Sequence, residues 1–302
     1  MEKFFQNKIW YGAMLAVMAA IVWSGNFVIA RGVIKSISPV TLSFYRWLTA
    51  TILIAPFAWK HFRAEWKTAL ANPYYFLFTA IISISLYNTL IYIAGHYTGA
   101  INLALIGTTT SPVVSVILAR IMLKEKITTL RVIGMGICIA GILLLLSKGS
   151  LAVLLSFSFT KGDWWMLAAA FVFAVYNIAA KKKPSGISPL NFLFTLFLLG
   201  TLFLIPFYLY DLRTNGGIAI NASNISAILY LGAGASVISY LLWNIAIAQL
   251  GAGRTSLFGN LIPVFSSIEA VIFLHEKISW VHMASFAIVV TGLIIANIQK
   301  RA

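Results

Sequence analysis

Residues 188–210 read SPLNFLFTLFLLGTLFLIPFYLY, a run without one charged side chain. A helix needs about 20 consecutive apolar residues to cross the hydrocarbon core of a bilayer. The run is closed by Lys181, Lys182 and Lys183 on one side and by Asp211 on the other, as expected of a segment held between two aqueous layers. Moving outward, the pattern recurs: apolar stretches fall at 9–30, 39–59, 73–95, 98–122, 131–147, 163–180, 188–210, 224–248, 252–274 and 279–298. Composition agrees, since 61% of the 302 residues are hydrophobic and only 10% charged, against about 25% charged in soluble domains. Aromatic residues at 14%, and 21 Gly and 8 Pro without a tripeptide period, exclude a disordered or collagen-like chain. The expected class is all-α and integral to the membrane, with ten transmembrane helices.

Lys3 and Lys8 precede the first run, as in a signal peptide. Its apolar part nevertheless exceeds the 7–15 residues usual there, and Arg31 closes it, so a retained helix is expected. Orientation follows from the basic residues, which accumulate in cytoplasmic connections. With the N-terminus inside, that side holds Lys3, Lys8, Lys60, Arg63, Lys67, Lys124, Lys126, Arg131, Lys181, Lys182, Lys183, Lys300 and Arg301; the other keeps Arg31, Lys35, Lys148, Lys161, Arg213 and Lys277. Both termini are therefore expected in the cytoplasm. The net charge of +15 is thereby explained by loops facing anionic lipid, not by a nucleic-acid surface.

The chain repeats itself at a shift of 150 to 151 residues. Ile37-Ser38-Pro39 matches Ile187-Ser188-Pro189, Pro56 matches Pro206, Pro112 matches Pro263, Glu125-Lys126-Ile127 matches Glu276-Lys277-Ile278, and Gly141 matches Gly292. Two units are expected, 1–148 and 161–302, of five helices each. Five is odd, so the second unit enters the membrane from the opposite face, which makes the units inverted repeats of the kind that builds alternating-access transporters.

These residues resemble a known family, the EamA-type ten-helix exporters of the drug/metabolite transporter superfamily, over nearly the whole chain. Trp23-Ser24-Gly25-Asn26-Phe27 is similar to that family's opening Trp-Gly-Ser-Asn-Phe signature, with Ser24 departing from its glycine. Ser43-Phe44-Tyr45-Arg46 resembles its second-helix segment ending in Arg. Pro112 through Lys124-Glu125-Lys126, and Pro263 through His275-Glu276-Lys277, resemble its helix-Pro-helix-Glu ending, followed by Gly141 or Gly292. The resemblance implies export of small metabolites, amino acids among them, across the bacterial inner (plasma) membrane by alternating access. Nucleotide-sugar and organic-phosphate antiporters are related folds. They are the weaker reading because anionic substrates want clustered basic side chains in the cavity, and most basic residues here fall in loops.

A lipid-facing helix surface needs no polar groups, so polar residues on one helical face mark a protein-facing or wet side. Ser85, Asn88 and Tyr92 share a face of the third run, and their repeat mates are Ser236, Ser239 and Trp243. Trp23 and Asn26 correspond to Phe173 and Tyr176, and Thr109 to Asn260. These twelve positions are expected to line one midplane pocket for a small-molecule substrate, with aromatic or other apolar amino acids as first candidates. By depth, Trp23 and Tyr92 read as an outer gate and Tyr176 and Trp243 as an inner one. Pro112 and Pro263 read as functional helix kinks. Arg46 and Glu269 are the charges well inside a span: Glu269 is the candidate for carrying a coupling proton, and Arg46 for pairing with it or with a substrate carboxylate. A counter-substrate is the alternative driving partner. Glu125 and Glu276 read as solvated ion pairs beside lysines.

Enzyme motifs are lacking. His61, His96, His275 and His282 have no metalloprotease spacing, Cys138 has no cysteine partner, and no Walker or dinucleotide loop occurs, so neither a metal nor a cofactor is expected. Gly134, Gly136, Ala140 and Gly141 suggest close helix contact in the fifth run. A membrane transferase and a passive channel are the other classes considered; the scarcity of acids disfavours the first. No signal for oligomeric state is present. The orientation is testable: a cysteine placed at Ser185 should react with an impermeant maleimide only in inverted vesicles, and one at Ser223 only in intact cells. The opposite pattern would reverse the topology.

Overall fold

A computed structural model describes the backbone of residues 2–33, 37–98, 100–156, 158–274 and 279–298. Within those helices, the side chains of 2–8, 26–33, 100–102, 104, 270–271 and 273–274 lie outside the description, and that of Asn26 is among them. The protein is 87% helix, with no strand among the described residues. Lipid offers the backbone no hydrogen bonds, so the chain must satisfy its amides internally.

The long helices are α1 (Glu2–Val33), α2 (Pro39–Leu70), α3 (Pro73–Tyr97), α4 (Ala100–Met122), α5 (Thr129–Leu146), α6 (Lys161–Lys181), α7 (Pro189–Asn215), α8 (Ala222–Leu250), α9, and α10 (Trp280–Asn297), with a single short turn of helix, Leu151–Leu155, between α5 and α6. Among the described residues, eight stretches are long and apolar enough to cross a membrane, within α2 to α8 and α10, and Ile9–Gly25 of α1 is a shorter apolar helix. The segment expected as one span at 252–274 is instead broken: Ala252–Leu257, a 3-10 turn at Phe258–Leu261, then Ile262–Leu274. These pieces together are α9. The break falls just before Pro263, whose ring removes a backbone donor and crowds the preceding turn. α4, by contrast, runs through Pro112 without interruption.

α2 and α7 pack antiparallel along their length, and their ends show how. Ser38 caps α2, accepting from the Thr41 amide, and Pro39 fills the first turn, where no donor is needed. Asp211, near the far end of α7, accepts from Ser38 Oγ and from Thr41 Oγ1 at 2.5 Å. At the other end the roles exchange. Ser188 caps α7, Pro189 follows, and Glu65 from the last turns of α2 accepts from the Ser188 amide and the Asn191 side chain, each at 2.8 Å. Midway, the hydroxyls of Thr51 and Thr201, 150 residues apart, meet at 3.2 Å.

α5 and α10 form the second close pair. A Cβ on Gly134 would lie 2.4 Å from the Gly292 carbonyl oxygen, and one on Gly292 would lie 2.7 Å from that of Gly134, so the backbones touch and only glycine fits. Gly141 faces Val289 in the same seam. Gly136 does not take part, since nothing lies within 4 Å of its would-be Cβ; it is on the outer side of the helix.

α3 and α8 each contain a π-helical stretch, Ile81–Leu86 and Tyr230–Ile238. These occupy corresponding places at the repeat shift. Ile84 packs against Gly200 of α7, and Gly232 against Thr49 of α2. Each π-turn therefore leans on a helix from the other half of the sequence.

Glu65 and Asp211 sit beyond the apolar parts of their helices. Burial alone would raise the Glu65 carboxyl; the Ser188 amide, the Asn191 side chain and the Ser188 hydroxyl outweigh it and leave its pKa below the ordinary 4.5. For Asp211 burial likewise opposes, and Ser38, Thr41 and Asn215 outweigh it, so its pKa lies below 3.8. A lowered carboxyl pKa contributes stability that is complete above the ordinary value and lost as the pH falls through the folded one. The apparent Tm of purified protein should therefore fall on acidification below pH 4.5, and less steeply in the double variant Glu65→Gln, Asp211→Asn. Equal slopes would remove these caps from the stability account.

Candidate functional site

Arg46 of α2 lies at the centre of the bundle, 1% exposed. Its Nε donates to Ser236 Oγ at 2.8 Å, Nη1 to the Tyr92 hydroxyl at 3.0 Å and Nη2 to the Ala235 carbonyl at 3.2 Å, while its guanidinium carbon stands 5.0 Å from the Trp47 ring centre. Every one of these partners is neutral. Ala235 belongs to the π-helical stretch of α8, where the regular i to i+4 ladder is interrupted. Its carbonyl also accepts from Trp23 Nε1 at 2.8 Å, so one backbone oxygen joins α1, α2 and α8.

Beside Arg46 the rings condense into one cluster. Trp23 meets Trp243 at 4.9 Å, Tyr240 at 5.6 Å and Phe173 at 5.9 Å between ring centres. Tyr87 stacks on Phe173 at 4.6 Å, and Tyr176 contacts both Phe173 and Tyr240. Trp243 and Tyr176 are fully buried, and Trp23 is nearly so. Polar tips of the rings are engaged: Trp243 Nε1 donates to Asn177 Oδ1 at 2.9 Å, Asn177 Nδ2 donates to Ser115 Oγ at 3.1 Å, and Asn244 Nδ2 donates to the Tyr176 hydroxyl.

Of the twelve pocket positions read from the sequence, Trp23, Phe173, Tyr176 and Trp243 meet in this cluster, and Tyr92 and Ser236 hold Arg46. Asn88 is buried against the Tyr240 hydroxyl, with its Nδ2 lacking a hydrogen bond of ordinary geometry. Ser85 donates to the Gly200 carbonyl of α7 at 3.0 Å, Ser239 to Gly234 in its own helix, and Thr109 to Leu105 in its own helix, so these three serve packing and local backbone needs. Asn260, 1% exposed in the 3-10 turn of α9, lies against the Cys138 thiol of α5 with neither amide atom in a hydrogen bond of ordinary geometry. The Asn26 side chain lies outside the described residues.

Three expectations are corrected. The expected separation of an outer from an inner aromatic pair is not seen in this arrangement, because Trp23 and Trp243 touch. Side chains on a helix lean toward its N-terminus, so residues on oppositely directed helices, placed either side of the midplane by counting, tilt toward each other and meet. Arg46 and Glu269 form no ion pair with each other: Glu269 Oε1 accepts from Ser24 Oγ at 2.6 Å and its Oε2 is buried without a partner, while Tyr230 lies within electrostatic reach of both charges. Glu125 is likewise no solvated lysine pair. It accepts from the Ala252 amide at 3.1 Å and faces Arg131 at 3.7 Å; Glu276 lies outside the described residues. No group of three His, Cys, Asp or Glu side chains that could hold a metal occurs among the described residues.

Sequence reasoning missed Tyr240, Asn177, Asn244 and Ser24. Two signals were present: Tyr240 lies four residues after Ser236, on the same helical face, and a shift of 151 rather than 150 pairs Asn26 with Asn177.

The described residues thus form a helical bundle with membrane-length helices around a polar, aromatic centre. Residues 10–147 and 160–298 each match the EamA-like transporter family. The chain belongs to that family and is a multi-pass membrane transporter. It is 27% identical over 292 residues to an "Uncharacterized transporter" of Archaeoglobus fulgidus, covering 95% of this chain and 97% of that one. It is 22% identical over 293 residues to a "Probable amino-acid metabolite efflux pump" of Escherichia coli K12, covering 93% of each. A solved crystal structure superposes with a TM-score of 0.78 at 17% identity, covering 95% of this chain and 96% of that one, which supports the fold.

The ring cluster makes a quantitative expectation. Trp243→Phe leaves the Asn177 carbonyl oxygen buried without its donor and should cost about 1–3 kcal/mol. Trp243→Ala should cost about 3–5 kcal/mol through the cavity it opens. Thermal unfolding in detergent checks both; an unchanged Tm in the alanine variant would show that Trp243 is not packed as described.

Proposed function

We propose that this protein is an alternating-access exporter of amino acids in the cell's inner (plasma) membrane, with apolar and aromatic side chains preferred. The observation that carries the reading is Arg46: a buried guanidinium held only by neutral groups, beside a box of Trp23, Phe173, Tyr176, Tyr240 and Trp243. An unneutralised cation in apolar surroundings favours an anionic partner strongly, and a substrate carboxylate supplies one. The rings offer the apolar body of the same molecule a matching surface. The name of the Escherichia coli relative supports this substrate class.

The units 1–148 and 161–302 serve as the two inverted halves in this proposal. Antiparallel α2 and α7 with exchanged caps, and the meeting of Thr51 with Thr201, support that arrangement. The lysine-rich face is the cytoplasmic one, with both termini on it. Glu269, bonded on one oxygen by Ser24, is the residue proposed to carry a coupling proton.

Counterflow in proteoliposomes tests the proposal. Vesicles preloaded with unlabelled phenylalanine should accumulate labelled phenylalanine transiently above equilibrium. Glu269→Gln should keep this exchange while losing its response to an imposed pH gradient. Equal uptake with and without preloading would indicate a channel, and chemical change of the label an enzyme; either result overturns the proposal.

A further inference from the structure

A second cationic site opens on the lysine-rich face, at the end of α6 and α8. A cavity of about 460 Å³ is lined there by Glu125, Lys126, Thr128 and Arg131 from the first matched segment and by Lys181, Gln249, Gly251 and Arg254 from the second. Among the described residues, four cations and one carboxylate line it. That carboxylate is already committed, one oxygen to the Ala252 amide and the other facing Arg131, and it also bears on Arg254.

Arg131 is the unusual member. It is 4% exposed, and its Nε and Nη1 are buried without a hydrogen-bond partner; the Glu125 oxygen at 3.7 Å is too far for one. Arg254 stands close enough for the two like charges to oppose each other. A buried guanidinium with unmet donors is costly unless an acceptor, best an anion, joins it. Lys126 and Thr128 are exposed at the rim, where an incoming anion meets them first.

We infer that this cavity binds a phosphate-class anion, either a free phosphate group or the headgroup of an anionic lipid. Planar guanidinia and a mobile ammonium are the donor set that tetrahedral, multiply charged oxyanions require, and basic pockets between helices on the cytoplasmic side receive lipid headgroups by the same chemistry. Because the lining comes from both matched segments, the bound anion ties them together on this face, beside the contact of Glu125 with the Ala252 amide. The inference does not depend on the cargo.

Thermal unfolding of the purified full chain tests it in two arms. In detergent, sodium phosphate is titrated against sodium chloride at constant ionic strength. In nanodiscs, phosphatidylglycerol is compared with phosphatidylcholine. A rise in Tm is expected with one of the probes: inorganic phosphate identifies a free anion, and phosphatidylglycerol alone a lipid headgroup. Arg131→Gln should weaken half-saturation about tenfold or more, and Lys126→Glu, at an exposed rim position, should do so without disturbing the fold. Should Arg131→Gln fail to fold, Lys126→Glu decides. No rise with either probe, or a rise of equal size and midpoint in the folded variants, overturns the inference.

Discussion

A guanidinium inside a lipid-embedded bundle has to be surrounded by acceptors, and most of what is distinctive in this structure follows from where those acceptors come from. Arg46 draws on Tyr92 of α3 and on Ser236 and Ala235 of α8. Hydrocarbon offers no substitute for any of them. The Ala235 carbonyl can serve because α8 is π-helical there, and the same oxygen takes the indole of Trp23. The rings then pack where Trp23 is held. One cation thus fixes the register of α1, α2, α3 and α8 together, and it does so without a carboxylate of its own.

The long helices around that centre are fastened to one another at their ends. α2 and α7 carry mirrored caps, Asp211 on the start of α2 and Glu65 on the start of α7, so a tilt that loosens one end can leave the other fastened. The glycine seam of α5 with α10 gives a second antiparallel contact, where Cys138 Sγ lies 3.5 Å from the Val289 carbonyl, 151 residues away in the chain. On the lysine-rich face Glu125 reaches the start of α9 and fastens the two matched segments there. In the proposed transport cycle these are the contacts that must break and reform, and each is local enough to do so without unfolding a helix.

The architecture was legible because the physics that dictates it acts along the sequence. Lipid demands long uncharged runs, which 188–210 displays, and duplication leaves residues that helices cannot easily replace, such as Pro39 with Pro189 and Pro112 with Pro263. Arg46 stood out for the same reason, as a charge where charges are expensive. The π-turns were not legible. Nothing in IISISL departs from ordinary apolar helix, and Gly232 and Gly234 in YLGAGASVI loosen the helix without dictating an i to i+5 pattern, which packing against α7 and α2 imposes. Their effect propagated: without them Ser85 reads as a pocket residue, whereas it bonds Gly200, and the Ala235 carbonyl cannot be foreseen as a ligand. Trp23 and Trp243 read as separate by depth because depth was counted along isolated helices, while a tryptophan spans enough distance to reach its counterpart.

The central claim is that the buried guanidinium of Arg46 receives the carboxylate of an apolar amino acid. Its most direct measurement is calorimetric binding of phenylalanine and of phenethylamine, the same molecule without the carboxylate, to the purified protein and to Arg46→Gln. The account predicts that phenylalanine binds the unaltered protein and phenethylamine does so at least about tenfold more weakly, with the difference abolished in the variant. Equal affinity for the two compounds in the unaltered protein, or a preference that survives Arg46→Gln, would contradict it.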